Sequence, residues 1–126
     1  MEKTLKLGDI IGLGAYLAQN EDLMDGMKLN ARAIYSILKL KKAIIERFNT
    51  AQETVLELAK NYGAEPINEG QGIQVPPEKL EDFNKDYADL MRENVALPYD
   101  AIEISASSEC SAKFMEAFFD FILITD

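Results

Sequence analysis

Histidine and tryptophan do not occur among these 126 residues, and cysteine occurs once, at Cys110. Without histidine, Ser-His-Asp and Cys-His mechanisms are excluded, and the usual zinc and di-iron ligand sets are broken. One cysteine cannot close an internal disulfide, and a lone thiol fits a reducing compartment. With no imidazole to activate it, Cys110 reads as a small side chain near a helix start. Long apolar runs are missing too. None approaches the roughly 20 residues that cross a bilayer, and Asp120 interrupts the apolar stretch 118–124. Lys6, Gly8 and Asp9 likewise break up Leu5, Leu7 and Ile10, so no secretory leader is expected. The glycines make no nucleotide loop. Gly70-Gln71-Gly72 has no Lys-Ser/Thr after it, and Gly12-x-Gly14 is followed by Leu17 where a dinucleotide fingerprint has its third glycine.

What is present is ordinary in amount and unusual in placement. A chain with 48% hydrophobic and 28% charged residues fits one soluble domain over 1–126, large enough for a core without disulfides or metals. The net charge is −9, unevenly spread. Residues 1–45 carry seven Lys/Arg against five acids, and residues 46–126 carry six against 17. An acidic body repels phosphates, which disfavours nucleic acid as a partner. Between Asp25 and Glu46 there is no acid at all, so Arg32, Lys39, Lys41 and Lys42 form a local basic strip. That strip is either a solvated face or an electrostatic handle for the acidic half of a neighbouring subunit.

The strip belongs to the dominant feature of the chain. Residues 30–62 contain no glycine or proline, and positions 34, 37, 41, 44, 48, 51, 55, 58 and 62 step alternately by three and four. All but Lys41 are apolar, which predicts a long helix with a coiled-coil-like seam. Asn30 is a suitable N-cap and Gly63 a suitable C′ stop. Beyond it, residues 66–75 suit two short strands around a glycine-rich turn, and Pro76-Pro77 opens a second helix with Pro77 near N1. Leu80, Phe83, Tyr87 and Leu90 repeat the helical step, so this helix folds back antiparallel on 48–62. Its length leaves the seam from Ile34 to Ile44 in need of cover from the N-terminal helix, the C-terminal helix or another subunit.

At the ends, 4–7 and 101–105 alternate as strands and are expected to pair. Asp9 caps a short helix over 10–19, and Ser107 or Ser108 caps a final helix over about 110–121. In the loop 20–29, the apolar Leu23, Met24 and Met27 suit either a partner surface or the local core. The predicted fold is α+β and mainly helical. It is an antiparallel helical hairpin with a long central helix and a tip β-hairpin, short N- and C-terminal helices, and a small two-stranded sheet at the base.

Chemistry is scarce. Glu78, Asp82, Asp86, Asp89 and Glu93 fall on one helical flank, a spacing that a hard cation accepts, but a straight helix converges too few oxygens. A solvated acidic face is the simpler account. No catalytic residue, metal site or cofactor is therefore expected, and the chain reads as a non-enzyme. The candidate functional residues form an interface instead: Ile34, Ile37, Lys41 and Ile44 on the uncovered seam, with Phe118, Phe119 and Ile122 near the C-terminus. The last three belong to an apolar cluster too rich for one helix face.

The order of parts carries a resemblance. Thr4-Leu5-Lys6-Leu7 precedes a small helix, and the long helix ends in Asn61-Tyr62-Gly63-Ala64-Glu65. After the hairpin come Ile73-Gln74-Val75-Pro76, Phe83-Asn84-Lys85-Asp86-Tyr87 and a strand ending in Ile102-Glu103-Ile104. This arrangement resembles small uncharacterised proteins of tailed bacteriophages and prophages, most clearly over 58–90. The resemblance implies a structural or assembly role without an active site, through self-association or docking to a capsid, tail or connector. It also implies protein partners, a homo-oligomer or phage structural proteins, and a place in the bacterial host cytoplasm or the virion. An acidic host-directed inhibitor or regulatory binding protein is the alternative.

Overall fold

A computed structural model describes residues 2–22, 27–66, 73–105 and 112–125. The elements run β1 (Glu2–Lys6), α1 (Leu7–Gln19), α2 (Ala31–Asn61), β2 (Glu65–Pro66), β3 (Ile73–Gln74), α3 (Pro77–Met91), β4 (Asn94–Pro98), β5 (Ile102–Ser105), α4 (Ala112–Phe118), a 3-10 turn (Phe119–Phe121) and β6 (Ile122–Thr125). The architecture is α+β and mainly helical, with the long central helix and antiparallel helical hairpin that the sequence predicts.

The spine is α2, 31 residues and about 46 Å long. Its ends are fixed as the sequence indicates. The Asn30 side chain accepts a hydrogen bond from the Ala33 N–H at 2.8 Å, satisfying one of the orphan donors of the first turn. At the far end Gly63 adopts φ +82°, a conformation in which a Cβ would collide with the neighbouring carbonyl. β2 and β3 then pair antiparallel, Glu65 with Gln74 and Pro66 with Ile73. The glycine-rich turn expected at their tip lies outside the described residues, as do Leu23, Met24, the Ser107 or Ser108 cap and Cys110.

α3 returns along the distal half of α2. Tyr62 packs edge-on against Phe83 at 6.1 Å between ring centroids, and its hydroxyl donates to the Asp86 carboxylate. The gap in cover over the proximal half is closed within the chain by α1, which takes up where α3 ends. The Leu7 N–H, the first orphan donor of α1, donates to the Glu93 carbonyl at 2.8 Å. A Cβ on Gly8 would stand 3.4 Å from the Met91 carbonyl. This junction replaces the expected Asp9 cap, and α1 begins three residues earlier than Ile10. Two short helices laid nearly end to end thus cover one long one.

Pairing at the base differs from the expectation. β1 pairs antiparallel with β4, from Glu2 opposite Pro98 to Lys6 opposite Asn94, not with 101–105. Val95 and Leu97 supply the alternation, and Pro98 is tolerated because it sits at the strand end, where a ladder hydrogen bond is dispensable. β5 instead pairs in parallel with β6, Ile102 with Ile122 through Ser105 with Thr125. Parallel neighbours need a crossover, which α4 provides. The final helix therefore stops at Phe118, because Ile122-Leu123-Ile124-Thr125, with three β-branched residues of four, suits a strand better.

The core lies where these parts meet. Ile10 and Leu17 of α1, Ile37, Leu40 and Ile44 of α2, Leu97 of β4, and Ile102 and Ile104 of β5 close around Phe114, Phe118 and Phe121. Phe114 and Phe118 meet at 5.1 Å with their rings tilted by 46°, and Tyr99 meets Phe121 edge-on at 5.0 Å. Arg47 ties the sheet to the spine by donating from Nε to the Ala96 carbonyl at 3.1 Å.

Candidate interaction surface

The seven residues singled out from the sequence divide sharply. Ile37, Ile44 and Phe118 are fully buried in the chain's own core, so they present nothing to a partner. Lys41 and Ile122 are half-buried. Ile34 at 38% and Phe119 at 71% exposure are the two that face outward. The need for cover from Ile34 to Ile44 is met largely from within, by α1, β5 and α4.

The reason is helical geometry. At about 100° per residue, Ile37 and Ile44 stand about 60° and 80° around α2 from Ile34, on the side that the core occupies, while Ile34 stands at its edge. The stripe that actually faces the core is Ala33, Ile37, Leu40, Ile44, Ala51 and Ala59.

A second apolar stripe emerges about 100° around the helix from the first. It consists of Ile34, Leu38, Ile45 and Leu56, between 38% and 52% exposed. Leu38, Ile45 and Leu56 were not singled out in the sequence, although each lies one or two residues from a seam position and shares the turn with it. Around the stripe, Lys41 and Lys42 form no salt bridge among the described residues, and neither do Glu46 and Glu53. Lys39 is engaged: its ammonium lies 3.0 Å from the Asp100 carboxylate. That hydrogen bond, reinforced by the opposite charge, raises the Lys39 pKa and lowers that of Asp100.

At its distal end the stripe runs into an open apolar groove of about 440 Å³ between α2, β3 and α3. Gln52, Val55, Leu56 and Ala59 form one wall, and Leu80 and Phe83 the other. α3 buries no residue completely, and its Leu80 is 43% exposed, so the two helices leave a slot rather than a closed seam. Beside it, the hydrogen bond to Asp86 raises the Tyr62 pKa.

A smaller apolar patch sits at the base, where Phe119, Leu123 and Ile124 are exposed around β6. A further cleft of about 340 Å³ opens beside the proximal end of α2. Arg32, Tyr35, Ser36, Asp100 and Glu103 line it, with the Lys39–Asp100 pair at its edge. Among the described residues no group of three or more Asp, Glu, Cys or His draws together as metal ligands would, and no helix is long and apolar enough to cross a membrane. Compared with protein-family models, with curated proteins and with solved structures, the chain matches none of them.

Proposed function

We propose that this chain is a non-enzymatic assembly protein that works by helix-mediated self-association, with the outer side of α2 as its contact surface. One observation carries the reading: Ile34, Leu38, Ile45 and Leu56 form an apolar stripe that no other part of the described chain covers. Isolated exposed apolar residues are unremarkable, but a row along one helix, opening into an apolar groove, marks an interaction site. The tailed-phage setting, in a host cytoplasm or a virion, is part of the same proposal. A gene lying among phage assembly genes supports that part, and one embedded among metabolic genes refutes it.

Light scattering across roughly 1–200 μM, bracketing a micromolar association, tests the core of the reading. The unaltered protein is expected to gain mass with concentration. The double variant Leu38→Glu/Ile45→Glu is expected to stay monomeric with unchanged far-UV circular dichroism. A strictly monomeric parent over that range overturns the proposal.

A second reading, an acidic inhibitor or regulatory binding protein, is favoured by α3 alone. That helix buries no residue completely and turns Glu78, Glu81, Asp82, Asp86 and Asp89 to its exposed surface. It predicts salt-sensitive capture of a basic host protein. Capture that survives charge reversal at Asp82, Asp86 and Asp89 excludes it.

A further inference from the structure

The exposed stripe of α2 is symmetric about its own middle. Ile34, Leu38, Lys41, Ile45, Asn49, Gln52 and Leu56 succeed one another by four, three, four, four, three and four residues. The spacing reads the same in both directions from Ile45. A two-fold axis through Ile45 therefore brings Ile34 of one copy opposite Leu56 of the other, Leu38 opposite Gln52, and Lys41 opposite Asn49.

The two halves of the stripe are complementary under that operation. Gln52 and Leu56 line the apolar groove between α2 and α3, so Ile34 and Leu38 of the second copy arrive at its mouth as two apolar knobs. The charges agree as well. From Ala31 to Ile45, α2 carries Arg32, Lys39, Lys41 and Lys42 and no acid, whereas Glu46, Glu53 and Glu57 follow, with Arg47 bonded to the Ala96 carbonyl and Lys60 paired with Glu57. In the two-fold arrangement Lys41 of each copy lies within about one turn of Glu46 and Glu53 of the other, and Lys42 within about one turn of Glu46. All four groups are without a salt bridge among the described residues. A parallel pairing would instead set basic half against basic half, and like charges in register are unfavourable.

We infer that two copies of this chain associate in antiparallel fashion through α2, with the two-fold axis at Ile45 and Ile34 and Leu38 of each copy seated in the α2–α3 groove of the other. This rests on the self-association reading and adds the partner, its direction and its register. An isologous contact of this kind closes on itself and yields a dimer rather than a filament. From Ile34 to Leu56 the stripe runs about 33 Å, and one helix is about 10 Å wide. The footprint is thus below the roughly 800 Å² per partner of a standard interface, which fits a dimer that comes and goes with concentration.

Disulfide trapping tests the direction in the full chain, with Cys110→Ser removing the native thiol. Ile34→Cys and a tagged Leu56→Cys variant are each checked for native circular dichroism, mixed, and oxidised. The expected product is the mixed 34–56 disulfide, in at least about tenfold excess over Ile34→Cys joined to itself. Predominance of the 34–34 product, or no mixed product in a protein that light scattering shows to be dimeric, overturns the antiparallel arrangement and leaves self-association standing. A monomeric parent removes both. Charge reversal supplies the second arm. Lys41→Glu/Lys42→Glu and Glu46→Lys/Glu53→Lys are each expected to weaken homodimerisation by about tenfold or more, and their mixture to recover association. A mixture no tighter than either variant alone overturns the register.

Discussion

Gly12 and Gly14 lie two residues apart on α1, yet the same substitution should shift stability in opposite directions at the two sites. A Cβ on Gly12 meets nothing within 4 Å, whereas one on Gly14 would stand 2.6 Å from two ring carbons of Phe48 and 2.8 Å from its Cβ. Carbon atoms settle at about 3.5–4.0 Å, so α1 must lift away from α2. Rotating the ring does not help, because the Phe48 Cβ is fixed to the backbone. Gly→Ala in a helix interior gains about 0.8–1.0 kcal/mol of propensity at either site. Overpacking a close contact costs about 1–3 kcal/mol. Gly12→Ala is therefore expected to stabilise by up to about 1 kcal/mol, and Gly14→Ala to be less stable than it by about 1–3 kcal/mol, since the propensity gain is common to both. At roughly 4 °C per kcal/mol for a chain of this size, the two melting temperatures should differ by about 4–12 °C. Urea unfolding followed by circular dichroism measures the difference directly. Gly14→Ala as stable as Gly12→Ala would refute the close approach of α1 to α2 at Phe48.

Phe114 is fully buried against Phe118 in the middle of the core, so Phe114→Ala should cost about 3–5 kcal/mol in the same unfolding assay, and a loss under 1 kcal/mol would place the core elsewhere. The Lys39–Asp100 pair predicts a pH signature. Asp100 titrates below the ordinary carboxylate range in the folded chain, so its contribution is complete above roughly pH 3.9 and disappears as the pH falls through the depressed folded value. Lys39 mirrors it, contributing fully below roughly pH 10.4 and losing that contribution as the pH rises through its raised folded value. In a carboxyl NMR titration, Lys39→Met should return Asp100 toward the ordinary range; an unmoved Asp100 titration would refute the pairing.

The helical skeleton was legible in the sequence because each of its signals is local. Asn30, Gly63 and Pro76-Pro77 mark boundaries by backbone chemistry that acts within a turn; α2 begins and ends, and α3 begins, where those residues stand. Strand pairing was not legible, since it depends on which of several similar short strands meet. Val95 and Leu97 offer β1 the same alternation that Ile102 and Ile104 do. Only the parallel crossover through α4 decides between them, by claiming β5 for β6. Of the candidate surface, the periodicity marks Ile34 but equally marks Ile37 and Ile44, which the core claims, because a 3.5-residue step does not distinguish the edge of α2 from its buried side. Leu38, Ile45 and Leu56 fall outside that step altogether; at about 100° per residue they and Ile34 make a separate stripe.

The junction at which the Leu7 N–H meets the Glu93 carbonyl bears on how the chain is made. Synthesis delivers β1 and α1 first, but the strand that pairs with β1 and the carbonyl that receives Leu7 follow roughly ninety residues later. At about 5–20 residues per second the first twenty residues wait several seconds or more for their partners. Meanwhile α3 and the distal half of α2 are contiguous in the chain and can meet as they leave the ribosome, while the proximal half of α2 still waits for β5 and α4. The N-terminal segment is then drawn in to finish a structure begun without it. A polypeptide released before β4 would carry a formed hairpin and an exposed, unfinished base, a natural handle for chaperones and proteases that survey incomplete chains.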